Sequence, residues 1–244
     1  MKKTLLIFAA ALTLGAVSCQ KEGKGTGGLE FDITSDVMIT DEVKSKVSDF
    51  TALPAAKDFT LTIRNADEEV AWTGLLSEWT TTTTLPVGIY SVTANYGSVT
   101  AEGADKPCFA GTVSFSVSGT ETVKVSIPVK LENCILKTVC TENFKKYFTA
   151  CDFKITSGNN NEFHFDSASS NAIFIEAYKF SLGGTLTNQG GYSTTIETKE
   201  FTDLEAATCY TLKFDASNVG GLKVTISFND TVQTMDMGDI ELNN

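Results

Sequence analysis

Apolar and polar residues alternate with a period of two along most of this chain, which confines it to β-strands that bury one face. In Phe59-Thr60-Leu61-Thr62-Ile63 three apolar side chains fall on one side and two hydroxyls on the other. Asn65, Ala66, Asp67, Glu68 and Glu69 turn the chain, and Val70-Ala71-Trp72 starts a return strand. Segments 89–96, 111–117 and 122–130 continue the pattern, with Gly88, Gly97 and Ser118-Gly119-Thr120 as turns. The second half predicts strands over 134–140, 152–156, 162–166, 172–176, 192–200, 209–215, 222–228 and 231–237. Helical spacing is confined to 141–148 and, more weakly, to 37–50, where Ser and Asp interrupt it. Gly183-Gly184 and Gly190-Gly191 bracket a strand turn. There is also an internal echo. Leu85-Pro86-Val87-Gly88-Ile89-Tyr90 and Leu204-Glu205-Ala206-Ala207-Thr208-Cys209-Tyr210 each place a Leu, a short turn and a Tyr before an alternating strand.

The first eighteen residues follow a different logic. Lys2 and Lys3 precede an uncharged apolar run over 5–14, and the small residues Gly15, Ala16 and Ser18 close it. This is the layout of a secretory signal, too short in its apolar part to stay in a bilayer as a helix. Ala16-Val17-Ser18-Cys19 has the form of a lipobox, which predicts cleavage before Cys19 and acylation of its thiol. Each buried acyl methylene contributes about 0.8 kcal/mol, so two or three chains hold a protein firmly. Residues 19–28, rich in Gly and Lys, read as a flexible tether.

The rest of the 244 residues suits two domains of about 100 each. The expected organisation is all-β: a signal peptide (1–18), a tether (19–28), a first β-sandwich unit (29–131) and a second in tandem (132–244). Loss of the signal removes two lysines and no acidic residue, which moves the formal charge of −11 further negative. Such a surface repels phosphate backbones and argues against a nucleic-acid partner.

Cysteine usage is uneven. Five of the six cysteines lie beyond Cys19, an odd number that leaves at least one unpaired within the chain. Cys134 and Cys140 share a strand face but stand roughly 20 Å apart along it, beyond disulfide reach. Cys140 and Cys151 flank a short connection and could meet across neighbouring strands; a small buried side chain is the other ordinary use of the residue.

Catalytic and metal chemistry find little support. His164, the one histidine, lies in Phe163-His164-Phe165, where alternation turns the imidazole away from both rings and toward solvent. Asp67-Glu68-Glu69 and the pair Asp236 and Asp239 could do acid–base work, but they lie in turn-like or chain-end surroundings where solvent keeps carboxylates ordinary. Asp230, Asp236 and Asp239 also lack the spacing of a calcium loop, so no cofactor or metal is expected. Two binding features stand out instead. Trp79, ahead of the polar run Thr80 to Thr84, is the candidate exposed ring for stacking on a sugar, whereas Trp72 and Tyr90 suit a core. The alternating segment 231–242 could pair internally or be donated to a partner subunit's sheet edge. Arg64, the single arginine, sits inside the first hairpin. Asp166-Ser167-Ala168 and Asp230-Thr231-Val232 match a short O-glycosylation pattern, which makes Ser167 and Thr231 candidate acceptors.

Leu85, Pro86, Gly88, Tyr90, Val92 and Ala94, then Asp105, Pro107, Phe109 and Gly111, and finally Leu131 and Asn133, fall in one order. That order resembles a Bacteroides surface-lipoprotein family, the domain of unknown function numbered four-four-nine-three, distantly similar to fimbrillin-like proteins. Cys108 departs from it by standing where an aromatic is usual. The resemblance implies transthyretin-like β-sandwich modules of the cell envelope, some of them pilus subunits or adhesins and some found with carbohydrate-associated domains. The expectation is thus a non-enzymatic, lipid-anchored binding or adhesion module of the outer membrane, displayed on the surface or facing the periplasm, a fimbrial component being one form it could take. Its rival is an accessory glycan-binding lipoprotein of a polysaccharide-utilisation system. The anchor is directly testable. Cys19→Ala should move the protein from the membrane pellet to the soluble fraction, and unchanged partitioning would place the anchor elsewhere.

Overall fold

A computed structural model describes residues 25–34, 46–216, 221–228 and 231–239. Cys19 and the signal lie outside the described residues, as does most of the 37–50 helix candidate. What is described of that candidate is one 3-10 turn, Val47–Asp49, ending on Phe50.

The first eight strands are β1 (Thr26–Thr34), β2 (Thr60–Asn65), β3 (Val70–Leu75), β4 (Thr84–Pro86), β5 (Gly88–Tyr96), β6 (Phe109–Val117), β7 (Val123–Pro128) and β8 (Lys130–Leu131). They form a three-stranded sheet in the order β4-β1-β7 and a five-stranded sheet in the order β3-β2-β5-β6-β8. The alternation builds the core directly. Leu61 and Ile63 of β2 and Val92 and Ala94 of β5 are buried against Phe59, Phe109, Ile127 and Leu131. The intervening threonines face outward, and Thr62 with Thr73 and Thr93 with Thr112 pair their hydroxyls across strands.

Nine more strands and one helix follow. They are β9 (Asn133–Cys140), α1 (Glu142–Tyr147), β10 (Phe148–Ser157), β11 (Glu162–Phe165), β12 (Ile173–Glu176), β13 (Lys179–Asn188), β14 (Ser193–Thr202), β15 (Cys209–Ala216), β16 (Gly221–Phe228) and β17 (Thr231–Asp239). They make a four-stranded sheet in the order β11-β10-β13-β14 and a five-stranded sheet in the order β12-β9-β15-β16-β17. Helix α1 lies within the predicted 141–148. Thr141 caps it by accepting the Phe144 N–H at 3.1 Å, and the buried Phe144 ring packs against Phe148, Phe153 and Phe214. The architecture is all-β, and each set of strands supplies two facing sheets around its own apolar cluster.

Two strands, β1 and β13, depart from the sequence expectation. Strand β1 starts at Thr26, inside the stretch read as tether, and a Cβ on Gly27 would lie 2.7 Å from Val117 Cγ1 and 2.8 Å from the Gly119 carbonyl oxygen. That glycine therefore permits close packing, not chain flexibility. β13 was hidden by Gly183-Gly184, which form no turn. They carry a bulge in the pairing with β14, and on the β10 side Gly184 (φ +130°) brings its backbone so near the Asp152 carbonyl that a Cβ would stand 2.0 Å away. Gly190-Gly191 do make the β13–β14 turn. Of the two courses the sequence leaves open to the C-terminal segment, internal pairing is the one seen over 231–239, where β17 runs antiparallel to β16.

The Leu-to-Tyr echo has a structural counterpart. Tyr90 Oη donates to the Pro86 carbonyl at 3.0 Å, and Tyr210 Oη accepts the Glu205 N–H at 2.8 Å, so each ring folds back onto the residue after its Leu. Burial pushes both phenols above their ordinary range, Tyr210 up to about 12.

The two sets of strands are locked together by the loop between β5 and β6. Gly103 exchanges two backbone hydrogen bonds of 2.9 Å with Phe174 of β12. Beside it, the Glu102 carboxylate accepts from Ser157 Oγ, from Asn159 Nδ2 (3.0 Å), from Asn161 Nδ2 (2.7 Å) and from the Glu176 N–H (2.9 Å). Fully buried Asn133 completes the junction, accepting from the Cys108 N–H and donating to the Lys106 carbonyl. Hydrogen bonds to a charged group contribute about 1.5–3 kcal/mol each, but the donors regain water at a half-buried site. Glu102→Ala should therefore lower stability by about 1–3 kcal/mol in urea unfolding, with a less steep transition; an unchanged midpoint would show that the junction does not depend on this carboxylate.

Candidate functional site

The site expected from sequence was an exposed Trp79. The structure makes Trp79 half-buried. Its ring stands edge-to-face against Phe31 (centroids 5.1 Å apart) and Trp72 (4.9 Å), and its Nε1–H donates to the Leu29 carbonyl at 3.1 Å. Thr80 to Thr83 beyond it form a hydroxyl-bonded turn leading into β4. Trp79 thus closes the side of the first cluster, with Trp72 half-buried alongside and not fully in the core. Ser167 lies in the turn after β11, half-buried, where its N–H and hydroxyl meet the Cys151 sulfur. Thr231 opens β17 opposite Phe228, and Asp230 of its pattern lies outside the described residues.

A cleft of about 340 Å³ opens instead on the second set of strands, between β11 and the segment 169–173. β11 is the outer strand of the four-stranded sheet and β12 the outer strand of the facing one, so the connection between them spans the side of the sandwich. Phe163, Phe165 and Ile173 supply apolar surface, while Glu162, His164, Ser169, Ser170 and Asn171 supply carboxylate, imidazole, hydroxyl and amide groups.

Local chemistry shapes this wall. Asp166 Oδ1 accepts from the Ala168 N–H and from Ser169 Oγ, both at 2.9 Å, while Ser169 Oγ accepts the Asp166 N–H. These bonds close an Asx-type turn and hold the Asp166 carboxyl below the usual range, the Ser169 hydroxyl foremost. On β11, alternation sends Phe165 into the core and His164 outward, as the sequence suggested. The outward imidazole is not free: its Nδ1 lies 2.7 Å from Asp152 Oδ1 on β10, next to a Lys154–Glu162 ion pair. The Phe163 ring borders Gly103, so the loop that joins the two sets of strands also backs the cleft.

Nothing in the sequence set Ser169, Ser170 and Asn171 apart from an ordinary polar loop. Their value comes from lying opposite β11. Among the described residues no three His, Cys, Asp or Glu side chains converge to hold a metal ion. Apolar ring faces beside clustered hydroxyl, amide and carboxylate groups suit a ligand that has both an apolar face and many hydroxyls.

Paired sheets and buried alternation define a β-sandwich protein. The chain belongs to the family described as Domain of unknown function (DUF4493), whose model matches residues 25–244. A search of curated proteins gives no match. Among solved structures, the chain is similar to a provisionally assigned polysaccharide binding protein from Bacteroides thetaiotaomicron. That match has 14% identity and a TM-score of 0.48, over 87% of this chain and 99% of that one. A fimbrial assembly protein from Parabacteroides distasonis is similar at 10% identity and a TM-score of 0.47, over 88% and 99%. A provisionally assigned cell adhesion protein from Bacteroides eggerthii is similar at 8% identity and 0.45, over 90% and 98%. At these identities no residue role transfers.

Trp79→Ala should cost about 2–3 kcal/mol, below the range for a fully buried tryptophan, and Trp79→Phe about half of that. Thermal unfolding measures both, and a neutral Trp79→Ala would show that the aromatic cluster is not needed for folding.

Proposed function

We propose that this protein is a lipid-anchored adhesion module of the cell envelope, displayed at the surface, that takes an extracellular glycan into the cleft between β11 and residues 169–173. The observation that carries the reading is that cleft: Phe163 beside Ser169, Ser170, Asn171 and Glu162. A sugar ring presents an apolar face to an aromatic edge or plane and hydroxyls to amide, hydroxyl and carboxylate partners. Such sites need shape and hydrogen bonds, not strained or activated groups.

The anchor fits this use. Cys19 precedes the first strand by seven residues, a span of about 25 Å at most when extended. The start of β1 is thereby held near the membrane. β5 and β1 both run from that end toward the loop that carries Glu102, so the cleft-bearing strands stand at the opposite end. No helix among the described residues is long and apolar enough to cross a membrane.

A fimbrial reading has its own observation: β17 is the outer strand of its sheet, and an outer strand offers backbone donors and acceptors to a partner's extended segment. It predicts detergent-resistant ladders on gels, whereas the glycan reading is satisfied by a monomer.

The decisive experiment is a polysaccharide panel with the purified mature protein. Parent protein should bind at least one glycan, Asn171→Ala should weaken that binding tenfold or more, and Trp79→Phe should leave it intact. Parent protein that binds nothing, or binding indifferent to Asn171→Ala, would end the reading.

A further inference from the structure

Five cysteines beyond Cys19 are thiols in this structure, and they are not equivalent. Cys134 and Cys209 lie on neighbouring strands β9 and β15 but on opposite faces of the sheet, one in each apolar cluster. Both are fully buried, as Cys108 nearly is. Cys140 and Cys151 differ. They are half-buried at the rim of the second cluster, their side chains are in hydrogen-bond contact with each other, and they sit on strands of opposite sheets. Helix α1 makes the crossing between β9 and β10 and brings them together.

We infer that Cys140 and Cys151 form a disulfide in the exported protein, a covalent staple between the two sheets of the second sandwich. The inference rests on the export reading, because thiols persist in a reducing cytosol and oxidise outside it. Side chains already within hydrogen-bond reach are the pair best placed to bond, unlike Cys134 with Cys140 on one strand or Cys134 with Cys209 on opposite faces of a sheet.

The local environment sets the order of events. The hydrogen bond from the Cys140 thiol lowers the Cys151 pKa, helped by the Ser167 N–H and hydroxyl, while the same bond and burial raise that of Cys140. Cys151 is thus the first thiolate. It attacks one sulfur of an incoming protein disulfide, forming a mixed disulfide and releasing one thiolate of the oxidant. Cys140 then loses its proton and attacks the Cys151 sulfur. This forms the Cys140–Cys151 bond and releases the oxidant's second thiolate. Two electrons and two protons pass to the oxidant, which leaves as a dithiol. The closed loop is short, eleven residues from one cysteine to the other, and it encloses α1.

The test is thiol mapping of full-length protein recovered from the cell envelope, alkylated under denaturing conditions and digested. A peptide pair joined through Cys140 and Cys151, two hydrogens lighter than its reduced form, with Cys108, Cys134 and Cys209 alkylated, is the expected result. Purified protein in a glutathione disulfide buffer should acquire the same link, and its melting temperature should fall by several degrees on reduction. A Cys140→Ser/Cys151→Ser variant should lose that reduction-dependent shift. If the envelope protein carries both residues alkylated while glutathione disulfide couples them in vitro, the inference is overturned at the compartment. If neither sample shows the link, it is overturned at the geometry, and the glycan reading is untouched in both cases.

Discussion

Everything in this molecule is organised by a sheet with no wet face where β12, β9 and β15 meet the first set of strands. Cys134 and Leu136 of β9 point into the second cluster, while Ile135, Phe174 and Cys209 point out of that sheet and into the first. A strand buried on both sides reads as a continuous apolar run, and Cys134-Ile135-Leu136 is such a run. Covering that second face demands a partner, and the first sandwich provides it. The polar cost of the junction is met by Asn133 and Glu102, whose side chains satisfy backbone and amide groups that would otherwise be buried without partners.

The cleft inherits its shape from this junction. β12 is held from one side by β9 and touched from the other by Gly103, so residues 169–173 enter it from a fixed point. The Asp166–Ser169 turn fixes the other end of the same connection, and Cys151 beneath Ser167 ties it to β10. The cleft wall, the thiol pair and the contact between the two sandwiches are thus neighbours in one small region, each steadying the next.

Much of the fold was legible because two-faced strands announce themselves. Phe59 to Ile63 and Ile89 to Tyr96 alternate cleanly, and α1 lies where Phe144, Lys145 and Phe148 suggested a turn or two of helix. β1 and β13 escaped notice for one shared reason. Gly27, Gly183 and Gly184 look like punctuation, yet they stand where another backbone or side chain comes too near for a Cβ, and strand glycine serves that purpose as readily as a turn. The outward aspect of His164 could be read from its flanking rings, but not its contact with Asp152. Ser169, Ser170 and Asn171 gain meaning only from standing across from β11, a relation between strands of different sheets that periodicity along one strand does not encode.

The parallel pairing of β1 with β7 matters most under load. Six residue pairs, Leu29 opposite Val123 through Thr34 opposite Pro128, join the two strands, so tension on the chain ahead of Thr26 loads β1 from its first residue. A pull applied at the second sandwich against the Thr26 end acts along the strand direction of that ladder. The ladder is then sheared with all its hydrogen bonds sharing the force, not peeled open one after another.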